Sequence, residues 1–207
     1  SIYDAVNVLG ALPLGKKGPA SRLGCSSLVV LPSATASGAL VHGRNFDLPP
    51  FADEEDPLLC VHRPERGLAH VSLHHGGGWT PGITATNEAG LTVGVHQNYT
   101  LNVSTTKRPV LSVAQELIES CASLTAAVEL LHQRPTAAGW TFVISDASSG
   151  RAAALEMDAD GAAALVPLVG LTALTLEVGP GPGRDVGDGP VVLGDAQVDG
   201  LRAHPPH

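Results

Sequence analysis

Cys25 stands in the run Leu23-Gly24-Cys25-Ser26-Ser27, and it is the only one of three cysteines that follows a glycine. A thiol that attacks the carbonyl of its own preceding residue needs a tightly turned peptide unit there, and glycine tolerates that geometry where a side chain would clash. Cleavage after Gly24 would free the α-amine of Cys25. An α-amine titrates at about 7.7–8.0 and a thiol near 8.5, so one residue then carries both nucleophile and proton acceptor, and no separate histidine is required. The plain alternative is an inert, buried cysteine opening a strand.

A second cluster, Gly43-Arg44-Asn45-Phe46-Asp47, closes a strand-like run at residues 39–45 that follows another at residues 25–31. If the two pair as a hairpin turning at Ser37-Gly38, the cluster returns towards Cys25. Arg44 would then favour the thiolate by charge proximity, and Asp47 would hold the freed amine. An ordinary surface Arg–Asp pair is the competing account, and such pairs contribute little.

The elements that must position these residues read mainly as strands. Aromatics make up 3% of the chain, and its 24 glycines and 16 prolines cut the apolar residues into short runs. Residues 68–74 alternate as a half-buried strand, residues 82–86 and 91–97 flank a turn at Asn87-Glu88-Ala89-Gly90, and residues 140–146 and 151–157 flank another through Gly150. Between them the period becomes helical: Val110, Val113, Ala114, Leu117, Ile118 and Cys121 share a face, and Thr125 is placed to cap a second helix that Pro135 stops. Strands, two helices and strands again give an α+β layered domain. After Gly161 the pattern weakens, and residues 179–189 read as a flexible or disordered loop.

Composition narrows the function. The formal charge of -8 and the absence of a basic patch argue against nucleic acid. No apolar run approaches the ~18 residues of a membrane span. The opening Ser1-Ile2-Tyr3-Asp4 lacks the regions of a secretory leader, which leaves the compartment open with the cytoplasm as the expectation. Cys25, Cys60 and Cys121 are too widely spaced for a disulfide framework or a C-x-x-C clip. His42, His62, His70, His74, His75 and His96 raise a metal hypothesis, and His70 and His74 would share a strand face, but neither HExxH nor a Cys/His pairing is visible; no metal is expected. The glycines of residues 179–183 alternate with prolines that remove the amides a phosphate loop needs.

Taken in order, Gly-Cys-Ser-Ser, the hairpin, Gly-Arg-Asn-Phe-Asp, Asn-Glu-Ala-Gly-Leu-Thr-Val-Gly and Ile144-Ser145-Asp146-Ala147 with Gly150 and Glu156 resemble the C45 acyltransferase/hydrolase group of N-terminal-nucleophile hydrolases. That group includes isopenicillin N acyltransferase and is related to choloylglycine hydrolases and penicillin V acylases. The resemblance covers roughly residues 3–157. It implies one αββα sandwich domain over residues 1–207, with residues 1–24 as pro-segment and residues 25–207 as the mature catalytic part. It also implies autocleavage between Gly24 and Cys25, and catalysis by Cys25, Arg44, Asp47 and, as oxyanion donor, Asn98 with Gln97 as its neighbour. The reaction implied is cleavage or formation of a non-peptide C–N amide bond through an acyl-cysteine. The expected partner is a small acyl amide or acyl thioester; no cofactor is implied. A heterodimer of cleaved fragments and a homo-oligomer both stay open.

One departure stands out. Where the family carries an Asn after Thr on a later strand, this sequence reads Leu171-Thr172-Ala173-Leu174, and Ala173 cannot donate. The family also continues with strands and helices past the point where His207 stands, so an incomplete or divergent C-terminal half is expected. The rival reading is a catalytically silent homologue that binds or scaffolds without turnover.

Overall fold

A computed structural model of the chain describes residues 4, 25–46, 57–75, 82–98, 100–167 and 174–178. Gly24, Asp47, Ala173 and residues 179–189 lie outside them.

The first hairpin pairs β1 (Cys25–Val30) with β2 (Val41–Phe46) antiparallel, with Cys25 opposite Phe46 and Ser27 opposite Arg44. The connection carries a short 3-10 turn (Pro32–Ala34) before Gly38, whose φ of 68° is the left-handed value that a turn glycine supplies. A further strand, β10 (Leu174–Val178), pairs with the other side of β1, so β1 is the centre of a three-stranded sheet.

Seven strands form the second sheet in sequence order: β3 (Pro57–His62), β4 (His70–His75), β5 (Thr84–Asn87), β6 (Leu91–Gln97), β7 (Trp140–Asp146), β8 (Arg151–Asp158) and β9 (Gly161–Pro167). Every pairing is antiparallel, and β6 and β7 pair although the two helices lie between them in the chain. Two helices, α1 (Val110–Ser120) and α2 (Leu124–Gln133), cover one face of this sheet. Val110, Val113, Ala114, Leu117 and Ile118 from α1 meet Leu91, Val93 and Val95 of β6 and Phe142 and Ile144 of β7, all buried. This is the apolar stripe that the helical period announces.

On the opposite face, Val143, Ala152 and Ala154 pack against Val29 and Leu31, which joins the two sheets back to back. The described residues therefore stack as helices, large sheet and small sheet, a mixed α+β architecture.

Asn87 ties the sheet to the helices. Its side-chain carbonyl accepts from the N–H groups of Ala89 and Leu91, and its amide donates to the carbonyls of Ile118 and Cys121 at the end of α1. Asp146 does the same for α2, accepting from the Leu124 N–H at 3.1 Å and from Ser148 and Ser149 in the turn. Burial pushes the Asp146 carboxyl up, but these hydrogen bonds outweigh it and hold it below the ordinary carboxylate range.

Two sequence expectations change. Ser123 caps α2, its hydroxyl accepting from the Ala126 N–H at 3.3 Å, two residues before Thr125. On β4 the alternation is inverted: His70, Ser72 and His74 are the buried side chains, while Val71 and Leu73 are only half-buried. The polar side chains are those that face the helices.

Candidate active site

Strand alternation sets the inward face of the small sheet. Cys25, Ser27 and Val29 on β1 and their opposite numbers Phe46, Arg44 and His42 on β2 all turn towards the large sheet. Cys25 is buried, 7% exposed, yet its surroundings are not apolar, since an Arg44 Nη2–H donates to its Sγ at 3.7 Å. The guanidinium also donates to the Thr84 hydroxyl and to the Val95 carbonyl, and lies 4.7 Å over the Phe46 ring. Four contacts on four strands thus fix one cation beside the thiol.

Gly94 makes room for this. A Cβ there would stand 3.0 Å from Arg44 Cδ and 3.1 Å from Ser27 Oγ, tighter than packed side chains ordinarily come. Arg44 reaches across β6 because β6 has no side chain at that point.

Beside the arginine lies a pair of histidines that the sequence analysis did not assign to the site. His96 Nε2 and Ser27 Oγ are 2.7 Å apart, His42 Nε2 is 3.5 Å from the same hydroxyl, and His42 Nδ1 is 2.9 Å from Ser145 Oγ. Burial and then the Arg44 guanidinium lower His42 to about 4. Burial, Arg44 and His42 lower His96 to about 3, against an opposing hydrogen bond with the Cys25 backbone. Both imidazoles are therefore neutral at pH 7 and are poor proton acceptors there. They act as hydrogen-bonding scaffold. His42-x-Arg44 and Gly94-x-His96 carry the signal for them, a period of two that places each pair on one strand face.

A pH dependence follows. Unfolded, these histidines bind protons near pH 6.5; folded, they do not until about pH 4 and about pH 3. Stability is unpenalised above pH 6.5 and should fall as pH drops from there towards 3, by about 3 kcal/mol or more per histidine. Urea midpoints measured between pH 8 and 4 check this, and replacing His42 by Gln should flatten the slope.

The structure places Asn98 directly after β6, its N–H donating to the Gly139 carbonyl at 3.3 Å. Gln97 sits opposite Trp140, which belongs to the helix-side core. Alternation sets Gln97 on that side, and Asn98 lies just past the end of the strand. The described contacts bring Arg44 to Cys25 but show none between Cys25 and Asn98. Asp47 follows Phe46, the residue opposite Cys25. Ser27, His96 and buried Glu156 join the picture: His96, Thr141 and Glu156 form a row of buried polar side chains across β6, β7 and β8.

Leu174 meets Val29, and the β10 residue level with Cys25 is Val178. Ala173 itself and the residues before it on that side lie outside the described residues.

Next to Arg44 opens a cleft of about 310 Å3, lined by His42, Leu59, Val71, Leu73, Thr84 and Thr86 among others. Its apolar wall belongs to β3 and β4, where the small sheet does not cover the large one; Leu59 is 70% exposed. No helix among the described residues is long and apolar enough to cross a membrane.

A further grouping corrects an expectation. No Cys/His pairing is expected from the sequence, but the β3–β4 register brings Cys60, His62 and His74 together with ligand atoms all within 4.8 Å of one another. Cys60-x-His62 is a spacing of two on one strand face, and His74 joins it from the neighbouring strand, which no linear spacing announces.

A sheet-rich α+β layering with a cysteine held beside an arginine at the start of a strand is the arrangement expected of N-terminal-nucleophile hydrolases. Residues 33–165 match the family described as acyl-coenzyme A:6-aminopenicillanic acid acyl-transferase, and the chain belongs to that family. The match takes in Arg44, Asp47, Asn98 and Glu156 and begins after Cys25. The chain is also 28% identical over 151 residues to an uncharacterised protein of Archaeoglobus fulgidus, across 70% of this chain and 24% of that protein. It spans about a quarter of the length of that curated relative.

Proposed function

We propose that this protein is an autoprocessed αββα enzyme in which Cys25 forms an acyl-enzyme with a small acyl amide or acyl thioester. The observation that carries the reading is the 3.7 Å contact from Arg44 to the Cys25 sulfur on an inward strand face. Cleavage after Gly24 frees the Cys25 amine, which takes the thiol proton as the sulfur attacks the acyl carbonyl. Arg44 stabilises the thiolate, Asp47 holds the ammonium, and Asn98 donates to the oxyanion. Collapse of the tetrahedral intermediate breaks the C–N or C–S bond, and the leaving amine or thiol departs with the proton. Water or an acceptor amine then attacks the thioester, returning the sulfur and completing hydrolysis or transfer. The apolar cleft beside Arg44 suits the acyl chain.

The Asp4 carboxylate accepts a hydrogen bond from the Trp140 indole at 3.1 Å. That contact would keep residues 1–24 docked after cleavage, as a heterodimer of fragments. The silent-homologue reading draws on the other Arg44 contacts, since bonds to Thr84 and Val95 are what a structural arginine makes.

The test is to incubate the protein with N-acyl amides, penicillin V, and acyl-CoA plus amine acceptors. Product formation from any of them supports the enzyme; an unsplit chain inert towards all of them establishes the silent homologue. Asp47→Asn should slow both processing and turnover by on the order of 100-fold; ordinary rates in that variant would remove Asp47 from the mechanism.

A further inference from the structure

The face of β3 and β4 opposite the Cys25 cleft carries an unusual run of polar side chains. Cys60 and His62 on β3 lie directly opposite Ser72 and His70 on β4, with His74 two residues further along the same face. His70, Ser72 and His74 are each no more than 3% exposed. Two buried imidazoles and a buried hydroxyl set against a partly buried thiol and imidazole need a reason, because polar groups cost free energy to desolvate.

The atoms converge. His62 Nε2 and His74 Nε2 are 3.4 Å apart, and Ser72 Oγ lies 2.8 Å from the first and 2.6 Å from the second. Two imidazole nitrogens bound to one tetrahedral ion at 2.0–2.1 Å stand roughly 3.3–3.4 Å apart. The Cys60 sulfur completes the triangle within 4.8 Å. The His62 ring is held in orientation by stacking on His70, with centroids 4.5 Å apart and planes 11° from parallel. His70 in turn is fixed by its Nδ1 on the Leu68 carbonyl at 3.1 Å, while its Nε2 is buried with no hydrogen-bond partner among the described residues. Such outer contacts orient metal ligands as well as stabilise them.

We propose that Cys60, His62 and His74 bind a borderline-soft divalent cation, Zn2+ by the chemistry of one thiolate and two imidazoles. Cys60 and His62 are only partly buried, which gives the ion an entry path, and buried His74 is the inner ligand. On binding, the Cys60 thiol releases its proton to solvent, both histidines coordinate through Nε2, and water takes the fourth position. The ion clips β3, an edge strand of the seven-stranded sheet, to β4. This site lies on the helix-side face of the sheet, apart from the Cys25 chemistry, and stands or falls independently of it.

Co2+ is the probe. Chelator-treated full-length protein should take up one Co2+ per chain, with the intense ligand-field bands of a four-coordinate site and a thiolate charge-transfer band. Zn2+ should displace it and raise the melting temperature as its concentration rises. Cys60→Ser should abolish the charge-transfer band and weaken Zn2+ binding by about 10-fold or more, with circular dichroism showing an unchanged fold. Should Cys60→Ser fail to fold, His62→Ala, at a partly buried position, should weaken Zn2+ and Co2+ binding by a similar factor, and unchanged binding in it overturns the site. Cys25→Ser should leave the bands intact. A charge-transfer band that persists in Cys60→Ser, bands that vanish in Cys25→Ser, or bands that never form in the wild type overturn the site.

Discussion

Cys25→Ala should remain a single chain in intact-mass measurements, while the wild type divides into residues 1–24 and 25–207. The same substitution should lower turnover of any accepted acyl substrate by on the order of 10,000-fold or more, because it removes the only group that carries the covalent intermediate. The two readouts separate two roles. Wild type that stays intact but still turns over substrate would keep the nucleophile and discard the proton-acceptor amine. Loss of cleavage without a measurable effect on turnover would move the chemistry away from Cys25 altogether.

Arg44→Gln should produce the second large effect. A full charge about 4 Å from a developing thiolate is worth roughly 4 kcal/mol at the screening typical near a protein surface. Removing it should reduce kcat/KM by about 100-fold or more and move the acidic limb of the pH–rate profile upwards by roughly one unit or more. Alkylation of the Cys25 thiol at neutral pH should slow in parallel. A structural arginine would lower stability without shifting the profile, so the pH dependence discriminates. Gly94→Ala offers an independent check, since a methyl group there presses on Arg44 Cδ at 3.0 Å and should reproduce part of the shift with the guanidinium retained.

Much of this was legible along the chain because it is local. The hairpin that returns Arg44 towards Cys25 depends on alternation and a turn glycine, and the helical stripe of Val110, Val113, Ala114, Leu117 and Ile118 needs no tertiary information. What the sequence hid is long-range. His42 and His96 are 54 residues apart in number and meet at one hydroxyl, Ser27, only when the two sheets stack. β9 shows little alternation of polar and apolar residues in Gly161–Pro167, and β10, Leu174–Val178, alternates strictly but over only five residues, so neither declared itself. Cys60 read as an isolated thiol because His62, two residues on along β3, gains meaning only when His74 comes in from the next strand, in a register no spacing rule encodes. The β4 alternation misled for a related reason: polarity usually marks the solvent side, and there it marks the interior.

The strand that begins with Cys25 is flanked on both sides, by β2 and by β10. A cut immediately before its first residue would therefore leave the new chain end gripped as in a vice, held by one jaw from residues 41–46 and another from residues 174–178. Severing the backbone there loosens nothing. Removing the second jaw would instead bare a flank of the nucleophile's own strand, so the tolerance of this protein to shortening should end abruptly at Leu174, far along the chain from the sulfur it protects.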